Sequence, residues 1–169
     1  MKSKLDNPVK ISKSVQEGLS LLLEELRLSI QWNRPSILLA VQSSRAGQIA
    51  AEMALEKKLK RLSQKIVHVN LSENPFDISV LAAVSPSPQN IIYFFSHLDQ
   101  RNRENSEKRV YRSLNLYREI FIENNIRAIF WLNKNEAADL PRYAPDFWVF
   151  RHRVVEFASK RQSQMKSIA

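Results

Sequence analysis

The sequence predicts an α/β fold, namely a three-layer sandwich of helices around a mostly parallel sheet of about five strands. Short, nearly continuous apolar runs recur along the chain, which is the pattern of strands buried on both faces of a parallel sheet. Helical patterns separate these runs, and each connection is long enough to cross back over the sheet. A chain of 169 residues that is 44% hydrophobic can bury one sizeable core, so we expect a single domain.

A long amphipathic helix opens the predicted fold, over residues 14 to 32. Apolar residues recur in it at helical spacing, and Ser12 or Ser14 serves as its cap. The elements that follow are predicted at residues 36–41 (strand), 46–63 (helix), 65–71 (strand), 76–83 (short helix), 90–96 (strand), from Ser106 up to Asn124 and Asn125 (helix) and 126–133 (strand).

The last strand admits two assignments. It is either DFWVF at residues 146–150 or RVVEF at residues 153–157, and we prefer the second. Residues 1–158 then form the domain. Residues 159–169 turn polar and basic, which predicts a tail or linker.

The composition excludes several functional classes. The chain has no cysteine, which excludes disulfides, thiolate zinc sites and a cysteine nucleophile, and three histidines remain for metal or general-base chemistry. No run of about 18 apolar residues appears, and the first residues lack the apolar segment of a secretory signal. We therefore expect a cytoplasmic protein without a membrane partner.

The net charge of +9 predicts a basic surface that attracts anions, with nucleic acid as one candidate partner. The basic residues are spread along the chain, however, and no recognised nucleic-acid motif accompanies them. Solvated helix faces are the preferred interpretation. The densest group, at the end of the second predicted helix, consists of Lys57, Lys58, Lys60 and Arg61.

The QSSRAG segment after the first predicted strand occupies a position where ligands bind in folds of this class. Against the phosphate-loop pattern G-x-x-x-x-G-K-[ST], Gly47 takes the second glycine. Gln42, Gln48 and Ile49 stand where the first glycine, the lysine and the hydroxyl residue are required. Without that lysine and hydroxyl, we expect no ordinary hydrolysis of ATP or GTP, no catalytic residue and no metal in this loop.

Two interpretations of this segment remain open. In the first, Gly47 is a close-packing glycine in the first turn of a helix, and no cofactor binds. In the second, the segment holds ATP or GTP without efficient hydrolysis, with backbone donors from Gln42, Ser43, Ser44 and Gly47 and with Arg45 as the substitute cation.

The loops after the third and fourth predicted strands carry weaker signals. Ser96 stands where a magnesium-binding aspartate would end the strand, and His97 and Asp99 follow it without a second histidine or a carboxylate cluster. Solvated loop residues are the preferred interpretation. Asn133, at the end of the fourth strand, is either a polar sensor of a nucleotide or an ordinary turn residue.

Two strings in the C-terminal half carry a family resemblance. LNLYREIFIENNIRAIFWLN and ADLPRYAPDFWVFRHRVVEF, with their AP-D-F-W-x-x-R pattern, resemble the N-terminal α/β domain of large bacterial proteins that precedes tetratricopeptide arrays or signalling NTPase modules. The resemblance covers roughly residues 31 to 158. It implies P-loop-NTPase-like topology, often with a degenerate phosphate loop, and a place in a larger signalling or defence assembly.

The AP-D-F-W pattern has a structural and a functional interpretation. Structurally, Pro145 opens a helical turn, Asp146 suits its positive end, Phe147 and Trp148 bury apolar area, and Arg151 pairs with Asp146 or Glu156. Functionally, tryptophans beside arginines form a docking face for a protein. The residues assigned to that face are Trp131, Trp148, Arg112, Arg118 and Arg151.

Core packing is the preferred interpretation of the tryptophans, because Trp131 lies within an apolar strand. The sequence thus predicts a non-catalytic interaction or regulatory domain, whose partner is another protein or another domain of a longer chain. Nucleotide binding without efficient hydrolysis is the alternative, and nucleic-acid binding through basic helices is the second alternative.

Overall fold

The computed structural model describes residues 12–72, 89–99 and 108–157. The described elements, in chain order, are α1 (Lys13–Gln31), β1 (Ser36–Gln42), α2 (Arg45–Lys60), β2 (Lys65–Asn70), β3 (Ile91–Ser96), α3 (Arg109–Leu116), α4 (Arg118–Glu123), β4 (Arg127–Asn133), α5 (Lys134–Tyr143), α6 (Pro145–Phe150) and β5 (Arg153–Phe157). The short helix predicted near residues 76–83 and the predicted tail at 159–169 lie outside the described residues.

The five strands form one sheet in the order β2-β3-β4-β1-β5, and every neighbouring pair is parallel. The predicted α/β class is confirmed, with a sheet that is wholly parallel. Ser36 lies opposite Arg127 and Gln42 opposite Asn133, so β1 and β4 begin and end at the same levels. The loops that follow these two strands therefore meet at the carboxyl edge of the sheet.

Helices cover both faces of the sheet, as the alternation of side chains along each strand requires. Leu38 and Ala40 pack with α1 and α2 on one face. Ile37 and Leu39 belong to the core of the opposite face, formed with α3, α4, α5 and α6. That second core is aromatic, since Phe95 and Phe130 stack at 4.7 Å between ring centroids. Each such buried ring contributes about 1.5–3 kcal/mol to the stability of the fold.

Arg127 ties α1 to the amino edge of the sheet. Its guanidinium is 2% exposed and donates to the Ser29 hydroxyl at 2.9 Å, the Gln89 carbonyl at 2.7 Å and the Asn33 side-chain oxygen at 3.1 Å. No carboxylate in the described part of the chain forms an ion pair with it. Burial lowers the pKa of Arg127, and neutral acceptors satisfy the charge that remains.

Two local features differ from the sequence prediction, and the open assignment of the last strand is decided. The helix predicted from Ser106 to Asn124 is broken at Tyr117 into α3 and α4, since Tyr117 adopts φ −103° and ψ 19°. Helix α5 was not predicted. DFWVF forms α6 and not a strand, so the preferred strand, RVVEF, is confirmed as β5.

Asn115, in the last turn of α3, caps the start of α6. The side-chain oxygen of Asn115 accepts the backbone N–H groups of Asp146 at 2.8 Å and Phe147 at 3.2 Å. Ala144, which precedes α6, has no side-chain acceptor, so Asn115 supplies the cap from another helix.

No helix in the described ranges combines the length and the apolar character needed to cross a membrane.

Candidate functional site

The connection between β1 and α2 consists of two residues, Ser43 and Ser44. Ser44 is extended, with φ −146° and ψ 146°, and its hydroxyl oxygen accepts the backbone N–H of Gly47 at 3.1 Å. This is a helix N-cap, which satisfies one of the free N–H groups at the start of α2. Of the four backbone N–H groups that the nucleotide interpretation assigns to a phosphate, that of Gly47 is therefore bonded within the chain.

Close packing accounts for the glycine at position 47. A Cβ atom added there would lie 2.9 Å from the Ser44 hydroxyl oxygen and 3.4 Å from the side-chain oxygen of Gln42. No glycine of the described segments has a positive φ. Space, and not backbone freedom, thus favours glycine at this position, as the first interpretation of the segment proposes.

A cleft of about 210 Å³ lies beside this connection, at the carboxyl edge of the sheet. Four of the predicted nucleotide-binding residues line it, while Gly47 stands behind Ser44. The lining residues are Gln42, Ser43, Ser44, Arg45, Gln48, His97, Trp131, Asn133 and Glu136. The strand register brings the ends of β1 and β4 together here, which is why Gln42 and Asn133, 91 positions apart, share one cleft.

Glu136 is a buried carboxylate of this cleft that the sequence analysis missed. Its side chain is 4% exposed and accepts the backbone N–H of Asn133 at 2.8 Å and that of Asp99 at 3.0 Å. In return, the Asn133 side chain accepts the Glu136 N–H at 2.9 Å, which completes a capping box for α5. The Asn133–Glu136 spacing is the sequence signal that could have revealed it.

Gln48, which stands at the lysine position of the phosphate-loop pattern, also forms a hydrogen bond within the chain. Its side-chain nitrogen donates to the Glu52 carboxylate at 2.6 Å, one turn further along α2. Arg45 is therefore the one cation among the described residues that line the cleft. Its side chain is exposed and forms no ion pair with the described parts of the chain.

His97 lies at the rim of the cleft in a left-handed backbone conformation, with φ 61°. Its Nδ1 atom and the Ser96 hydroxyl are 2.9 Å apart and share a hydrogen bond. No group of His, Asp and Glu suited to a metal ion occurs in the parts of the chain that the structure describes. His97 is thus held by a local hydrogen bond, and the backbone of Asp99 is held by its bond to Glu136.

A second candidate site lies on α6 and the neighbouring α3–α4 junction, away from the cleft. We call it the α6 surface and define it by five residues: Leu116, Arg118, Trp148, Val149 and Arg151. Leu116 is 68% exposed and Val149 74% exposed. The surface also contains three of the five residues that the sequence analysis assigned to a docking face.

Both arginines of the α6 surface are held against aromatic rings. The guanidinium carbon of Arg151 lies 3.8 Å from the Trp148 ring centre, and that of Arg118 lies 5.7 Å from the Phe150 ring centre. Arg151 forms no ion pair with Asp146 or Glu156, so that prediction is wrong. Stacking on Trp148 and a hydrogen bond to the Trp148 carbonyl take its place.

Arg118 and Arg112 differ in their surroundings. Arg118 donates to the Asn115 carbonyl at 2.8 Å and lies 3.9 Å from the Asp146 carboxylate, which fixes the α3–α4 junction. Arg112 is exposed on α3, one turn before Leu116, and forms no ion pair with the described residues. The fourth predicted interaction residue is therefore adjacent to the surface without being anchored in it.

The other tryptophan of the predicted docking face, Trp131, is 1% exposed. It packs in the core between Phe94 and Phe157, at centroid distances of 5.8 Å and 6.1 Å. Its assignment to a docking face is wrong, because a strand at the centre of the sheet is covered on both faces. Core packing, the preferred interpretation of this residue, is confirmed.

The basic group at the end of α2 remains exposed except for one ion pair. Lys60 binds Glu56 at 2.9 Å, and this contact holds the pKa of the Glu56 carboxyl below its ordinary value. Lys57, Lys58 and Arg61 are exposed. Three exposed positive side chains, those of Lys57, Lys58 and Arg61, thus lie at the C-terminal end of α2, which is the negative end of its helix dipole.

No family model matches the sequence, and no curated protein matches it. Several solved structures, however, are similar to this chain. The chain is similar to the ORC2 protein of Aeropyrum pernix, with a TM-score of 0.59 and 12% identity over 98% of this chain and 53% of that chain. It is also similar to Rif2, solved in complex with the C-terminal domain of Rap1, with a TM-score of 0.56 and 15% identity over 93% of this chain and 58% of that chain.

A third similar structure is a chain of the HORMA:CdnC:Trip13 complex of E. coli MS115-1, with a TM-score of 0.51 and 10% identity over 92% of this chain and 65% of that chain. This chain spans about half of the length of ORC2. At such identities the likeness shows the fold alone. Together with the strand order, it shows that the chain has a P-loop-NTPase-like α/β fold.

Proposed function

We propose that this chain is a non-catalytic protein-interaction or regulatory domain of a larger assembly, and that the α6 surface is its docking face. The observation that carries the proposal is the pairing of immobilised arginines with exposed apolar side chains on that surface. The family resemblance extends the proposal to bacterial signalling or defence proteins with tetratricopeptide arrays or NTPase modules.

The first support is the state of the phosphate-loop position. A phosphate cradle needs several unpaired backbone N–H groups and a cation. Here the connection has two residues, Ser44 takes the Gly47 N–H, and Gln48 donates to Glu52. The lysine of the phosphate-loop pattern is missing, the Gly47 N–H and the Gln48 side chain are bonded within the chain, and Arg45 is the remaining cation. This state disfavours NTP hydrolysis as the function.

The second support is the physical character of the α6 surface. Arginine and tryptophan are the side chains that contribute most at protein interfaces. Arg151 and Arg118 are already held in place by Trp148, Phe150 and the Asn115 carbonyl. Less side-chain entropy is therefore lost when a partner binds.

The third support is charge complementarity, which also specifies the partner. Arg118 lies 3.4 Å from the Glu119 carboxylate and 3.9 Å from that of Asp146, which offset its charge. Arg151 and the neighbouring Arg112 form no ion pair with described residues, and they supply positive charge to the surface that carries exposed Leu116 and Val149. A protein segment with carboxylates and apolar side chains complements both properties. We propose such an acidic, apolar segment, from a partner protein or from another domain of a longer chain, as the occupant.

The similar structures are compatible with this function. Rif2 was solved with a domain of Rap1, and the E. coli structure is a complex of several proteins. ORC2 was solved as ADPNP and ADP complexes. The same fold thus occurs with protein partners and with nucleotides, so the residues of this chain decide between the two.

Site-specific photo-cross-linking tests the proposal. A photoreactive amino acid replaces Val149 in one variant and Met53 in a control variant, since Met53 is apolar and 67% exposed on α2. In cells that contain the natural partners, we expect cross-linked products at position 149 and few at position 53. Mass spectrometry of the product should identify an acidic, apolar segment.

Charge reversal completes the test. Arg118→Glu and Arg151→Glu should each remove most of the product at position 149, while Arg61→Glu, which reverses an exposed arginine directly after α2, should leave it. Equal yields at positions 149 and 53, or products that survive both reversals, would contradict the docking proposal.

Nucleotide binding without efficient hydrolysis is the second candidate function. The observation that favours it is Arg45, which lies at the start of α2 and lines the cleft. A guanidinium there could offset part of the charge of a phosphate. The buried Glu136 carboxylate in the same cleft opposes it, and so does the short connection between β1 and α2.

A further inference from the structure

Three helices end at the amino edge of the sheet, because α1, α2 and α4 precede the parallel strands β1, β2 and β4. Trp32 is the C-cap of α1 and is 67% exposed. It is the one exposed phenylalanine, tyrosine or tryptophan in the described part of the chain. An exposed tryptophan leaves a large apolar ring in water, which makes it a candidate contact for a ligand.

Arg127 joins the loops of this edge. Its guanidinium donates to the Asn33 side-chain oxygen at 3.1 Å and to the Gln89 carbonyl at 2.7 Å. The carbonyl of Asn90 in turn accepts the Lys65 N–H at 2.7 Å. The loop before β1 and the start of β2 therefore lie along one edge, three strand spacings or about 14 Å apart.

Three exposed cations share this edge with Trp32. Arg34 lies two residues after Trp32, Arg61 follows α2, and Lys65 begins β2. None of the three forms an ion pair with the described residues. We call Trp32, Arg34, Arg61 and Lys65 the amino-edge patch.

Positive charge prevails at this edge. The C-terminal ends of the three helices each carry about −0.5 charge, and Glu123 adds a carboxylate at the end of α4. Against these stand the three cations of the patch and the exposed Lys57 and Lys58, one turn earlier on α2. Lys60 and Glu56 offset each other in an ion pair. The edge therefore attracts a polyanion.

The aromatic ring distinguishes nucleic acid from other polyanions. Bases stack on exposed aromatic rings while cations bind the phosphate backbone. Bases within a duplex are already stacked on one another, so Trp32 favours a single strand. Exposed amides flank the patch and can form hydrogen bonds with base edges. They are Asn33, Gln89 and Asn90.

An acidic protein segment fits this edge less well. Leu28 and Ile122, in the last turns of α1 and α4, are 37% and 38% exposed. They offer a protein segment much less apolar area than Leu116 and Val149 of the α6 surface, which are 68% and 74% exposed.

We propose that the amino-edge patch binds single-stranded nucleic acid, with a base stacked on Trp32 and phosphates beside Arg34, Arg61 and Lys65. This inference goes beyond the docking function, because the amino-edge patch and the α6 surface share no residue. Substitutions can therefore remove either kind of binding and leave the other.

Fluorescence anisotropy of the whole chain with a labelled oligothymidylate of about 16 nucleotides, the upper size of many single-strand sites, tests the inference. A duplex of the same length and polyglutamate, an acidic polypeptide, are the competitors. We expect the single strand to bind roughly tenfold more tightly than the duplex. Its affinity should fall with salt at a log–log slope of about −0.7 for each phosphate contact.

Trp32→Ala should weaken single-strand binding by about tenfold, since one stacked base is lost. Trp32→Phe keeps a smaller ring and should recover part of the affinity. The matched control is Met53→Ala, because Met53 is also 67% exposed, and it should bind like the wild type.

Arg61→Gln and Lys65→Gln should each reduce the salt slope by about 0.7. Arg109→Gln should not, since this exposed arginine begins α3 at the opposite edge of the sheet. The inference fails if the single strand does not bind, or if the duplex binds as tightly. It also fails if Trp32→Ala and Met53→Ala bind alike, which would indicate diffuse attraction to a basic chain. Displacement of the single strand by polyglutamate at equal charge would assign the patch to an acidic protein segment instead.

Discussion

The guanidinium of Arg151 stacks on Trp148, with its carbon 3.8 Å from the ring centre, and donates to the Trp148 carbonyl oxygen at 2.6 Å. Arg151→Lys keeps the charge but loses the planar contact. We expect the free energy of unfolding to fall by about 0.5–1 kcal/mol, measured by urea denaturation. We also expect a partial loss of cross-linking at position 149.

The control for Arg151→Lys is Arg112→Lys, since Arg112 is exposed and forms no ion pair with described residues. Its stability should stay within about 0.5 kcal/mol of the wild type. If both variants behave alike, the stacking of Arg151 on Trp148 has no energetic role.

Glu136→Gln tests the buried capping box. The carboxylate accepts two backbone N–H groups, from Asn133 and Asp99. An amide can accept one of them and turns a donor toward the other, so we expect a loss of about 1–3 kcal/mol in unfolding free energy. Hydrogen exchange of the Asn133 or Asp99 amide should accelerate, whereas Asp139→Asn, at the more exposed pair with Lys108, should leave both protected.

Arg127→Lys tests the junction between α1 and the sheet. A lysine cannot reach the Ser29, Gln89 and Asn33 acceptors that the guanidinium binds together. We expect a loss of about 2–4 kcal/mol, because acceptors stay unpaired around a buried charge. Arg109→Lys, at an exposed position of α3, is the matched control, and a similar small effect in both variants would contradict this role of Arg127.

His152 should make the stability of the fold depend on pH. Its Nδ1 atom accepts the Ile37 N–H at 3.0 Å, which requires that nitrogen to be unprotonated. Burial, followed by the positive charge of Arg34, lowers the pKa of His152, and nearby Glu25 opposes the shift. A lowered pKa in the folded state means that the folded chain binds fewer protons than the unfolded chain.

The resulting stabilisation is fully present above the ordinary histidine pKa of about 6.5 and is lost as the pH falls through the lower, folded-state value. Urea unfolding between pH 8 and pH 5 should therefore show a steeper decline for the wild type than for His152→Ala. Parallel curves, or a wild type that gains stability in acid, would refute the assignment.

The fold was predictable because its strands correspond to continuous apolar runs in the sequence. The central strands are buried on both faces, and that condition leaves a clear pattern in SILLAV and AIFWL. Helix α5 was missed, although the spacing of Asn133 and Glu136 in the sequence is that of a capping box. Its short length and Pro141 obscured the helical period.

The candidate sites were predictable only in part. The failure of the phosphate-loop pattern at Gln42, Gln48 and Ile49 could be seen in the sequence, but the N-cap of Ser44 depends on backbone geometry. The cleft forms where the ends of two strands distant in sequence meet, which no local pattern encodes. The stacking of Arg151 on Trp148 prevailed over the predicted ion pair because the guanidinium lies against the ring within one turn.

The most direct test of the central claim, that the QSSRAG segment caps a helix and does not hold a nucleotide, is thermal unfolding with and without millimolar Mg-ATP or Mg-GTP. The account predicts no stabilisation by either nucleotide. A ligand at about 100 times its dissociation constant would stabilise the fold by roughly 2.7 kcal/mol. An upward shift of that size, abolished by Arg45→Ala, would contradict the claim and establish nucleotide binding.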